Sequence, residues 1–382
     1  MMDALEPLPL EDIKVVEFAQ MVAGPSASLL LADYGADVIK VEPPEGDGGR
    51  TLRSSAARNL PDAPIFVGYN RNKRLTTLDL RTEEGLRAAW AIIAEADVLV
   101  EASRPGVMDR LGLGAEAVLR RYPRLIYAAI SGFGDVGPGR DKRGVDLIVQ
   151  AESGIMSTTG LPDLPLKVGF TMVDAASGHA LCHGILAALF RRERTGRGGV
   201  VRTSLYEVAL HLQTGPLAEY LMTGVQTPRA GNSAPLTAPA DLMRCAEGAI
   251  VVSAYLEPHW RAFVHTLGAD VLLDDPRFRG ASNRVANRGY LLTILEAYLA
   301  AGTSAQWRHR LQDAGVLVGE VKDYAQVVAD PCTIASGIIE RFGEDYGLRN
   351  PINLSGTDRL ALRRREEGGL DDIRFRRRRP GS

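Results

Sequence analysis

Asp174 is a carboxylate at the junction between an extended stretch and a long apolar helix. The stretch LPLKVGFTMV covers residues 164–173, and the predicted helix follows at 175–196. A carboxylate in this position can act as a nucleophile, because the amides at the start of a helix stabilise its ionised form. It can equally be the N-cap, accepting hydrogen bonds from amides two or three residues further on. The residue types and their spacing leave both interpretations open.

A second pattern is the GxGxxG formed by Gly132, Gly134 and Gly137, directly after a predicted strand. A dinucleotide site needs a helix to begin at once, so that its first amides meet the pyrophosphate. The charged stretch RDKRG at 140–144 does not favour a helix there. We therefore do not expect a nicotinamide cofactor.

A third pattern places His179, Cys182 and His183 within one helical turn. The metalloprotease pattern HExxH requires a glutamate where Ala180 stands, so no general base accompanies the histidines. Histidines in an Ala- and Leu-rich helix are commonly packed core residues. We predict that these two are packed in the core and that the chain binds no metal.

Composition excludes several classes of protein. The 382 residues carry a formal charge of −2, which predicts no bulk attraction to nucleic acid or to an anionic membrane surface. Three scattered cysteines without a CxxC pair indicate neither a disulfide framework nor a zinc site. We find no signal-peptide pattern and no uninterrupted apolar run of ~20 residues. The expectation is a cytoplasmic protein.

Strand and helix signals alternate over the first third of the chain. Strands are predicted at 13–19, 36–44, 74–80, 97–103 and 124–131, and helices at 26–35, 82–96 and 114–122. Strands separated by helices of this length pair in parallel through right-handed crossovers. The sequence therefore predicts an α/β fold with a Rossmann-like large domain.

The second half of the chain has a different pattern. A helix broken near Gly215-Pro216 precedes a Pro-rich linker, a hairpin around Glu247-Gly248 and three helices, which together indicate a small α+β domain. The predicted divisions are 1–205 (large domain), 206–227 (linker helix), 228–317 (small domain) and 318–382 (a return segment with a charged tail). The tail, 363–382, is low in aromatics and is predicted to be a mobile end.

The order of several segments resembles the class III CoA-transferase family (CaiB/BaiF type), which includes formyl-CoA transferase and carnitine CoA-transferase. The segments are VAGPSASLLLADYGADVIKVEPP (22–44), NRNKRLTTLDLRTEEG (70–85), DVLVEASRPGVMDRLGLG (97–114), the run 127–160, MVDAASGHALCHG within 172–207, and AGVLVGEVKDYAQVVADP (314–331). The resemblance implies a large Rossmann-like domain, a small domain and two chains threaded through each other as an interlocked homodimer.

The resemblance also implies covalent chemistry at Asp174. In that scheme the carboxylate attacks an acyl-CoA thioester, forms an aspartyl–acyl anhydride and then an aspartyl-CoA thioester, and the acceptor carboxylate opens the thioester. Coenzyme A arrives as a substrate thioester, so no permanently bound cofactor is implied. The expected reaction moves CoA from an acyl-CoA donor to a free carboxylic acid.

Coenzyme A contacts implied by the resemblance fall on six residues: Lys73, Arg74, Arg104, Arg110, Arg143 and Gln20. Lys73 matches a nucleotide-binding lysine and Arg110 a phosphate-binding arginine, whereas Arg143 stands where formyl-CoA transferase has a lysine. Two departures concern the same ligand. Ala102-Ser103 replace an Asn-Phe pair, and Val22 replaces a glutamine, which leaves Gln20 as the polar candidate on that turn.

The acceptor is expected to be a small dicarboxylate. Four arginines lie in one stretch of chain where they could face a second carboxylate, or simply be surface charge: Arg50, Arg53, Arg58 and Arg71. This is a prediction about substrate class only.

Two other functions remain as alternatives. An α-methylacyl-CoA racemase would place a histidine in a GHD sequence aligned with Gly144-Val145-Asp146, and Val145 cannot transfer a proton. A non-catalytic CoA-binding protein would not need the intact Asp174. Both alternatives are therefore disfavoured relative to CoA transfer.

Overall fold

The structure is a computed structural model that describes residues 6–357, 360–369 and 374–376. Its strands are β1 (Lys14–Phe18), β2 (Asp37–Glu42), β3 (Arg74–Thr77), β4 (Val98–Glu101), β5 (Ile126–Ser131), β6 (Gly160–Leu161), β7 (Leu164–Pro165), β8 (Gly199–Ser204), β9 (Ala240–Arg244), β10 (Ala249–Ser253), β11 (Leu317–Glu320), β12 (Ile339–Phe342), β13 (Asp345–Leu348) and β14 (Glu366–Glu367).

Its α-helices are α1 (Ala23–Asp33), α2 (Pro64–Asn70), α3 (Glu83–Glu95), α4 (Val107–Arg110), α5 (Ala115–Arg121), α6 (Asp146–Glu152), α7 (Ile155–Thr158), α8 (Met172–Thr195), α9 (Leu205–Leu212), α10 (Thr214–Thr223), α11 (Glu257–Leu267), α12 (Val271–Asp274), α13 (Ala281–Ala286), α14 (Arg288–Leu299), α15 (Ser304–Asp313), α16 (Tyr324–Ala329) and α17 (Pro331–Ser336).

The chain divides into two compact units. The first contains the residues up to 155, 168–214 and those from 331 onward, and the second contains 156–167 and 215–330. The small domain therefore extends beyond the predicted end at residue 317. The reason is β11, which pairs antiparallel with β10 and so adds a third strand to the sheet of the second unit.

The first unit is built on a seven-stranded sheet in the order β14-β3-β2-β1-β4-β5-β8. Every neighbouring pair is parallel, which confirms the predicted α/β fold with a parallel sheet. The order of the strands reverses between β1 and β4. Ligands of open parallel sheets bind at such a reversal, outside the carboxyl ends of the strands.

Apolar residues cover both faces of this sheet, since alternate residues of a strand point to opposite sides. Val15 belongs to one buried cluster and Val16 to the other, and the adjacent pair Val98 and Leu99 divides in the same way. The first cluster also contains residues of α1 and α8. The sheet is therefore enclosed by two cores, and α8 belongs to one of them.

Helix α8 is the longest helix of the described chain and the one helix there that is long and apolar enough to cross a membrane, judged by length and composition alone. Leu181 and Ile185 nevertheless lie fully buried in the same core as Leu31 of α1. A Cβ atom added to Gly178 would come within 2.5 Å of the Cβ of Ser26. A glycine is therefore what allows α8 to pack so closely against α1.

The charged tail is docked on the sheet where the structure describes it, so the prediction of a mobile end is wrong for those residues. Strand β14 pairs with β3, and Arg74 donates a hydrogen bond to the carbonyl of Arg374. Phe375 is buried, with the ammonium of Lys14 5.4 Å from its ring centre. The described part of the tail is held by the pairing of β14 with β3, by the hydrogen bond from Arg74 and by the burial of Phe375. Residues 370–373 and 377–382 lie outside the described residues.

The second unit packs helices against a three-stranded antiparallel sheet in the order β11-β10-β9. Its core contains Trp260, Phe263, Leu295 and Trp307. This matches the predicted α+β character of the small domain. The helix predicted over 204–225 breaks at Gln213 rather than at Gly215-Pro216, since a proline is tolerated in the first turn of α10.

Candidate active site

Asp174 lies in the first turn of α8, but it is not the residue that caps the helix. The helix begins at Met172 with Thr171 as the N-cap, so Asp174 is the third helical residue. Within the described chain, its carboxylate oxygens accept no hydrogen bond. The capping interpretation considered from the sequence is therefore wrong, and the carboxylate is unengaged by its own helix.

Asp146 caps α8 instead, from the start of another helix. Its Oδ2 accepts hydrogen bonds from the amides of Val173 and Asp174, at 2.8 and 3.1 Å. The other carboxylate oxygen of Asp146 accepts from the side-chain amide of Gln150, whose own oxygen accepts from the amide of Val168 at 2.9 Å. A buried carboxylate and a buried amide thus fix the segment that leads into α8.

The surroundings make Asp174 a weaker acid than a carboxyl group in water. Burial is the larger cause, and the negative charge of Asp146 adds to it, so that the pKa of Asp174 rises to about 7. Near neutral pH the group is then roughly half ionised. Perturbed carboxyl groups of this kind concentrate at functional sites, although ion-pair networks produce them too.

Tyr69 is a further residue beside Asp174, and the sequence analysis missed it. It lies on α2, a helix that was not predicted from the sequence. Burial raises the pKa of the Tyr69 hydroxyl, a hydrogen bond with the side chain of Thr171 opposes this, and the charge of Asp174 raises it further. The phenol therefore stays neutral and keeps a proton to donate. Pro64 at the first position of α2 was the available signal.

The turn after β1 leads into α1, whose first turn packs against α8: a Cβ atom added to Gly178 would lie 2.9 Å from the carbonyl oxygen of Ala23. Met21 on this turn has a φ of 68°, a left-handed conformation that is uncommon for a residue with a side chain. Its amide donates to Oδ1 of Asp47 at 3.0 Å. Gln20, exposed on the same turn, accepts from the amide of Gly48 at 3.4 Å.

A buried network of ion pairs packs next to this turn. Lys40 contacts Glu17 at 2.9 Å and Asp47 at 2.7 Å, and Lys73 contacts Glu17 at 2.8 Å. Although burial acts to raise it, the two lysine charges lower the pKa of Glu17 to about 2. The ammonium of Lys73 also donates to the carbonyl of Pro25 in α1. Lys73 thus has its hydrogen bonds inside the protein, and its predicted contact with a nucleotide stays a prediction.

A cavity of about 420 Å³ opens at the carboxyl ends of β1, β2 and β3. Gln20 and Arg110, two of the predicted contacts, line it together with Ser103 and a mostly apolar wall. Arg110 makes no ion pair with any described residue. The volume is in the range of pockets that hold a cofactor fragment, roughly 300–1,000 Å³. The structure thus brings two predicted contacts together at the strand-order reversal.

The remaining predicted contacts lie elsewhere. Arg104 lines a neighbouring cavity, described below. Arg143 is exposed in the stretch before α6 and lines neither cavity. Arg74 begins β3 at the amino edge of the sheet, opposite to Asp174, and pairs with Asp37 at 2.6 Å. Their roles in binding coenzyme A stay predictions.

The arginines expected to face a second carboxylate are mostly engaged within the protein. Arg50 pairs with Glu42 at 2.8 Å, and Arg71 is buried against Asp33. Arg53 donates to the carbonyl of Arg50 at 2.8 Å. Of the four, only Arg58 is exposed with no hydrogen bond or ion pair from its side chain to a described residue. The cluster therefore supports the loop and gives no support to a dicarboxylate substrate.

Both histidines of α8 are exposed in the chain, so the prediction that they pack in the core is wrong; Cys182 between them is the buried member. The helix turns their common face away from α1. Among the residues the structure describes, no group of three or more potential metal ligands occurs. The glycines of the GxGxxG pattern are followed by a short 3₁₀ turn, and α6 begins only at Asp146.

Comparison with known proteins identifies the family. The family model for CoA-transferase family III matches residues 10–366. A probable fatty acyl-CoA transferase of Mycobacterium tuberculosis is 38% identical over 85% of this chain and 85% of its own length. Acetyl-CoA:oxalate CoA-transferase of Acetobacter aceti is 36% identical over 92% of this chain and 90% of its own.

Among solved structures, a CaiB/BaiF family protein from Brucella suis superimposes with a TM-score of 0.84 at 36% identity. The match covers 92% of this chain and 94% of that one. The resemblance inferred from sequence segments is thereby confirmed. The chain belongs to CoA-transferase family III and is a CoA-transferase.

Proposed function

We propose that this protein transfers CoA from an acyl-CoA donor to a free carboxylic acid by covalent catalysis at Asp174. The observation that carries the proposal is that two different aspartates occupy the start of α8, one capping the helix and the other free of hydrogen bonds. Asp146 accepts the hydrogen bonds of the helix amides, so the carboxylate of Asp174 is left free to attack. Hydrogen bonds to a carboxylate stabilise its charge and would reduce its nucleophilicity.

The proposed steps exchange acyl groups without net proton transfer. The Asp174 carboxylate attacks the thioester carbonyl, forming an aspartyl–acyl anhydride and expelling CoA thiolate. The thiolate attacks the aspartyl carbonyl, giving an aspartyl-CoA thioester and releasing the donor acid. The acceptor carboxylate attacks that thioester, forming a second anhydride and expelling the thiolate again. Attack of the thiolate on the acyl carbonyl then yields the new acyl-CoA and restores Asp174.

This sequence requires the thiolate to stay beside Asp174 while acids exchange. The cavity at the ends of β1, β2 and β3 supports binding of the nucleotide end of coenzyme A, with Arg110 facing phosphate. The turn that carries Gln20 lines this cavity and leads into α1, which packs against α8. We place the thioester across that turn, where the neutral hydroxyl of Tyr69 can donate to the oxygen on which negative charge develops.

For the acceptor we keep a small dicarboxylate as the proposed class. The supporting observation is the Acetobacter relative named for oxalate, since the arginine cluster is engaged internally. The Mycobacterium relative is named for fatty acyl groups, which makes a longer acyl donor the second candidate. A screen of acyl-CoA donors against mono- and dicarboxylate acceptors, read by mass spectrometry, separates the two classes.

We also propose a homodimer, in which helices that bury nothing within one chain pack against the partner. No residue of α10, α16 or α17 is buried. Met222 and Tyr324 are each 87% exposed, and Ile334 is 67% exposed. Exposed apolar patches of this kind mark interaction surfaces. Sedimentation equilibrium measures the mass directly, and a monomer at micromolar concentration would contradict the proposal.

Trapping tests the covalent step. The protein is incubated with acyl-CoA and hydroxylamine, and the peptide that contains Asp174 is examined for a hydroxamate by mass spectrometry. Label on Asp174 is expected in the parent and not in Asp174→Asn. Asp163→Asn, at an exposed aspartate of the preceding turn, is the matched control and should retain the label. Transfer activity without label on Asp174 would refute the scheme.

A further inference from the structure

A second cavity, of about 340 Å³, lies at the carboxyl ends of β4, β5 and β8. It contains neither Asp174 nor Asp146 nor Tyr69. It shares two residues with the cavity assigned to the nucleotide end of coenzyme A: Ser103, which follows β4, and Met108, which lies in α4. The two cavities are therefore neighbours on either side of one loop.

Two polar residues with low exposure, Tyr127 and Glu101, form the floor of the second cavity. Tyr127, 3% exposed, has no hydrogen-bond partner for its hydroxyl within the described chain. Glu101, 8% exposed, accepts a hydrogen bond from the amide of Ser103 at 2.6 Å to its Oε2, and the side chain of Ser103 forms a second hydrogen bond with it. Because Tyr127 lines the cavity, a ligand or an ordered water there can supply the partner that the protein does not give its hydroxyl.

The protonation of both floor groups favours donation rather than acceptance. Burial raises the pKa of Glu101 to about 7, with a smaller contribution from the charge of Asp109. Burial also raises the pKa of Tyr127, and the charge of Glu101 adds to this. Near neutral pH the phenol is fully protonated and the carboxyl partly so. The floor can therefore present hydrogens to an oxygen atom of a ligand.

Two arginines without an acidic partner lie at the rim of the cavity, whose lining also contains the acidic residues Asp109, Asp135 and Glu207. Arg104 and Arg140 are exposed, and neither side chain pairs with an acidic group among the residues described. Arg202 is different, because its guanidinium is held by Asp135 at 2.9 Å. Aromatic and aliphatic side chains, Phe133 and Ala129 among them, form part of the wall. Guanidinium groups of this kind bind carboxylate and phosphate groups well.

We propose that this cavity binds a small organic acid, separate from coenzyme A and bound alongside it. Arg104 and Arg140 hold its carboxylate or phosphate at the rim, and an oxygen atom of its body accepts a hydrogen bond from Tyr127 at the floor. The volume is at the small end of ligand pockets, which favours a metabolite-sized acid over a second CoA molecule. Because Ser103 and Met108 line both cavities, occupancy of one is expected to change affinity in the other.

The test is a calorimetric titration of the full-length protein with succinate and with inorganic phosphate, with and without saturating CoA. At least one of these probes is expected to bind the parent both with and without CoA. CoA should change the Kd of the probe without abolishing its binding. Tyr127→Phe removes only the hydroxyl, and Arg140→Gln removes one rim charge. Each is expected to weaken the probe about tenfold, which corresponds to one hydrogen bond to a charged or buried group.

Arg120→Gln is the control, since it removes an exposed arginine of α5 that does not line the cavity, and it should leave the probe's Kd unchanged. Three results overturn the proposal: neither probe binds, CoA competes fully with the probe, or both cavity variants bind as tightly as the parent. Full competition would assign the cavity to a phosphate of coenzyme A itself. Unchanged binding in the variants would place the acid elsewhere, for example beside Asp174. None of these readings requires turnover, so the result is independent of the catalytic role proposed for Asp174.

Discussion

Replacing Asp146 by asparagine separates the two effects that this residue has on Asp174. Asparagine keeps an oxygen that can accept hydrogen bonds from the amides of Val173 and Asp174. It removes the negative charge that contributes to the raised pKa of Asp174. The hydrogen bond from Gln150 is lost unless the Gln150 amide group rotates. Loss of this bond would lower the free energy of unfolding by about 1 kcal/mol.

The size of the electrostatic effect is bounded by the structure. The rise of the Asp174 pKa from 3.8 to about 7 corresponds to about 4 kcal/mol against the ionised form in the folded protein. Burial is the larger part, and burial is unchanged in Asp146→Asn. The variant is therefore expected to move the pKa of Asp174 part of the way back toward its ordinary value.

The assay is the pH dependence of kcat/KM for CoA transfer, between pH 5.5 and 8.5. The ionised carboxylate is the nucleophile, so activity in the parent should rise with pH and level off above about 7. In Asp146→Asn the rise should occur at lower pH, and kcat/KM at pH 6 should exceed that of the parent relative to the plateau. Tyr69, the other titratable group that interacts with Asp174, stays neutral across this range.

Asp146→Ala is the matched comparison, because it removes both the charge and the cap. It should show the same displacement of the pH profile together with a loss of about 1–2 kcal/mol in the free energy of unfolding. If the acid limb of the pH profile stayed in place in both variants, repulsion between the two aspartates would be excluded as a cause of the raised Asp174 pKa. If only Asp146→Ala lost activity, Asp146 would act through the cap alone.

Three further outcomes are expected. Asp174→Asn should stabilise the folded protein at pH 8 and change its stability little at pH 4. The reason is that a carboxyl group whose pKa is raised in the folded state lowers the stability as pH rises from about 4 to about 7. Thermal unfolding at both pH values measures this. Lys73→Met should lower the free energy of unfolding by about 3–5 kcal/mol, since it leaves the buried Glu17 with one cation. If the KM for acyl-CoA is unchanged in the folded fraction, Lys73 supports the turn and does not bind the nucleotide. Arg110→Gln should raise the KM for acyl-CoA about tenfold with kcat unchanged, and an unaltered KM would remove the cavity beside it from the CoA site.

Much of the large domain could be predicted because its strands are buried on both faces. β1 through β5 all lie within the predicted strands, since runs such as VVEF and VLVE combine β-branched residues with flanking turn residues. β8 and β14 were not recognised. The first follows a glycine-rich turn and the second is two glutamates, so in both cases pairing with an existing edge decides the structure rather than local preference.

Asp174 stays a prediction as the catalytic residue, and its surroundings could not be predicted from the sequence. Segment order identified Asp174, whereas the capping role of Asp146 depends on α6 reaching α8 across 27 residues of chain, a tertiary contact that no local spacing reveals. Lys73 shows the converse. Its position in a basic motif suggested a contact with the nucleotide, and the burial of Glu17 beside it gives a second reason for a lysine there. Paired buried charges cannot be recognised from one partner alone.

The pairing of β14 with β3 bears on the order in which the chain can fold during synthesis. The first unit is assembled from three separate stretches, and its last edge strand lies within the final twenty residues of the sequence. Domains generally form as the ribosome delivers them, from the N-terminus onward. Here the backbone groups on the outer edge of β3 stay unpaired until residues 366 and 367 have been synthesised, and an unpaired edge is a template for intermolecular association. Polypeptides cut short before residue 366 should therefore self-associate even when every catalytic group has already been made.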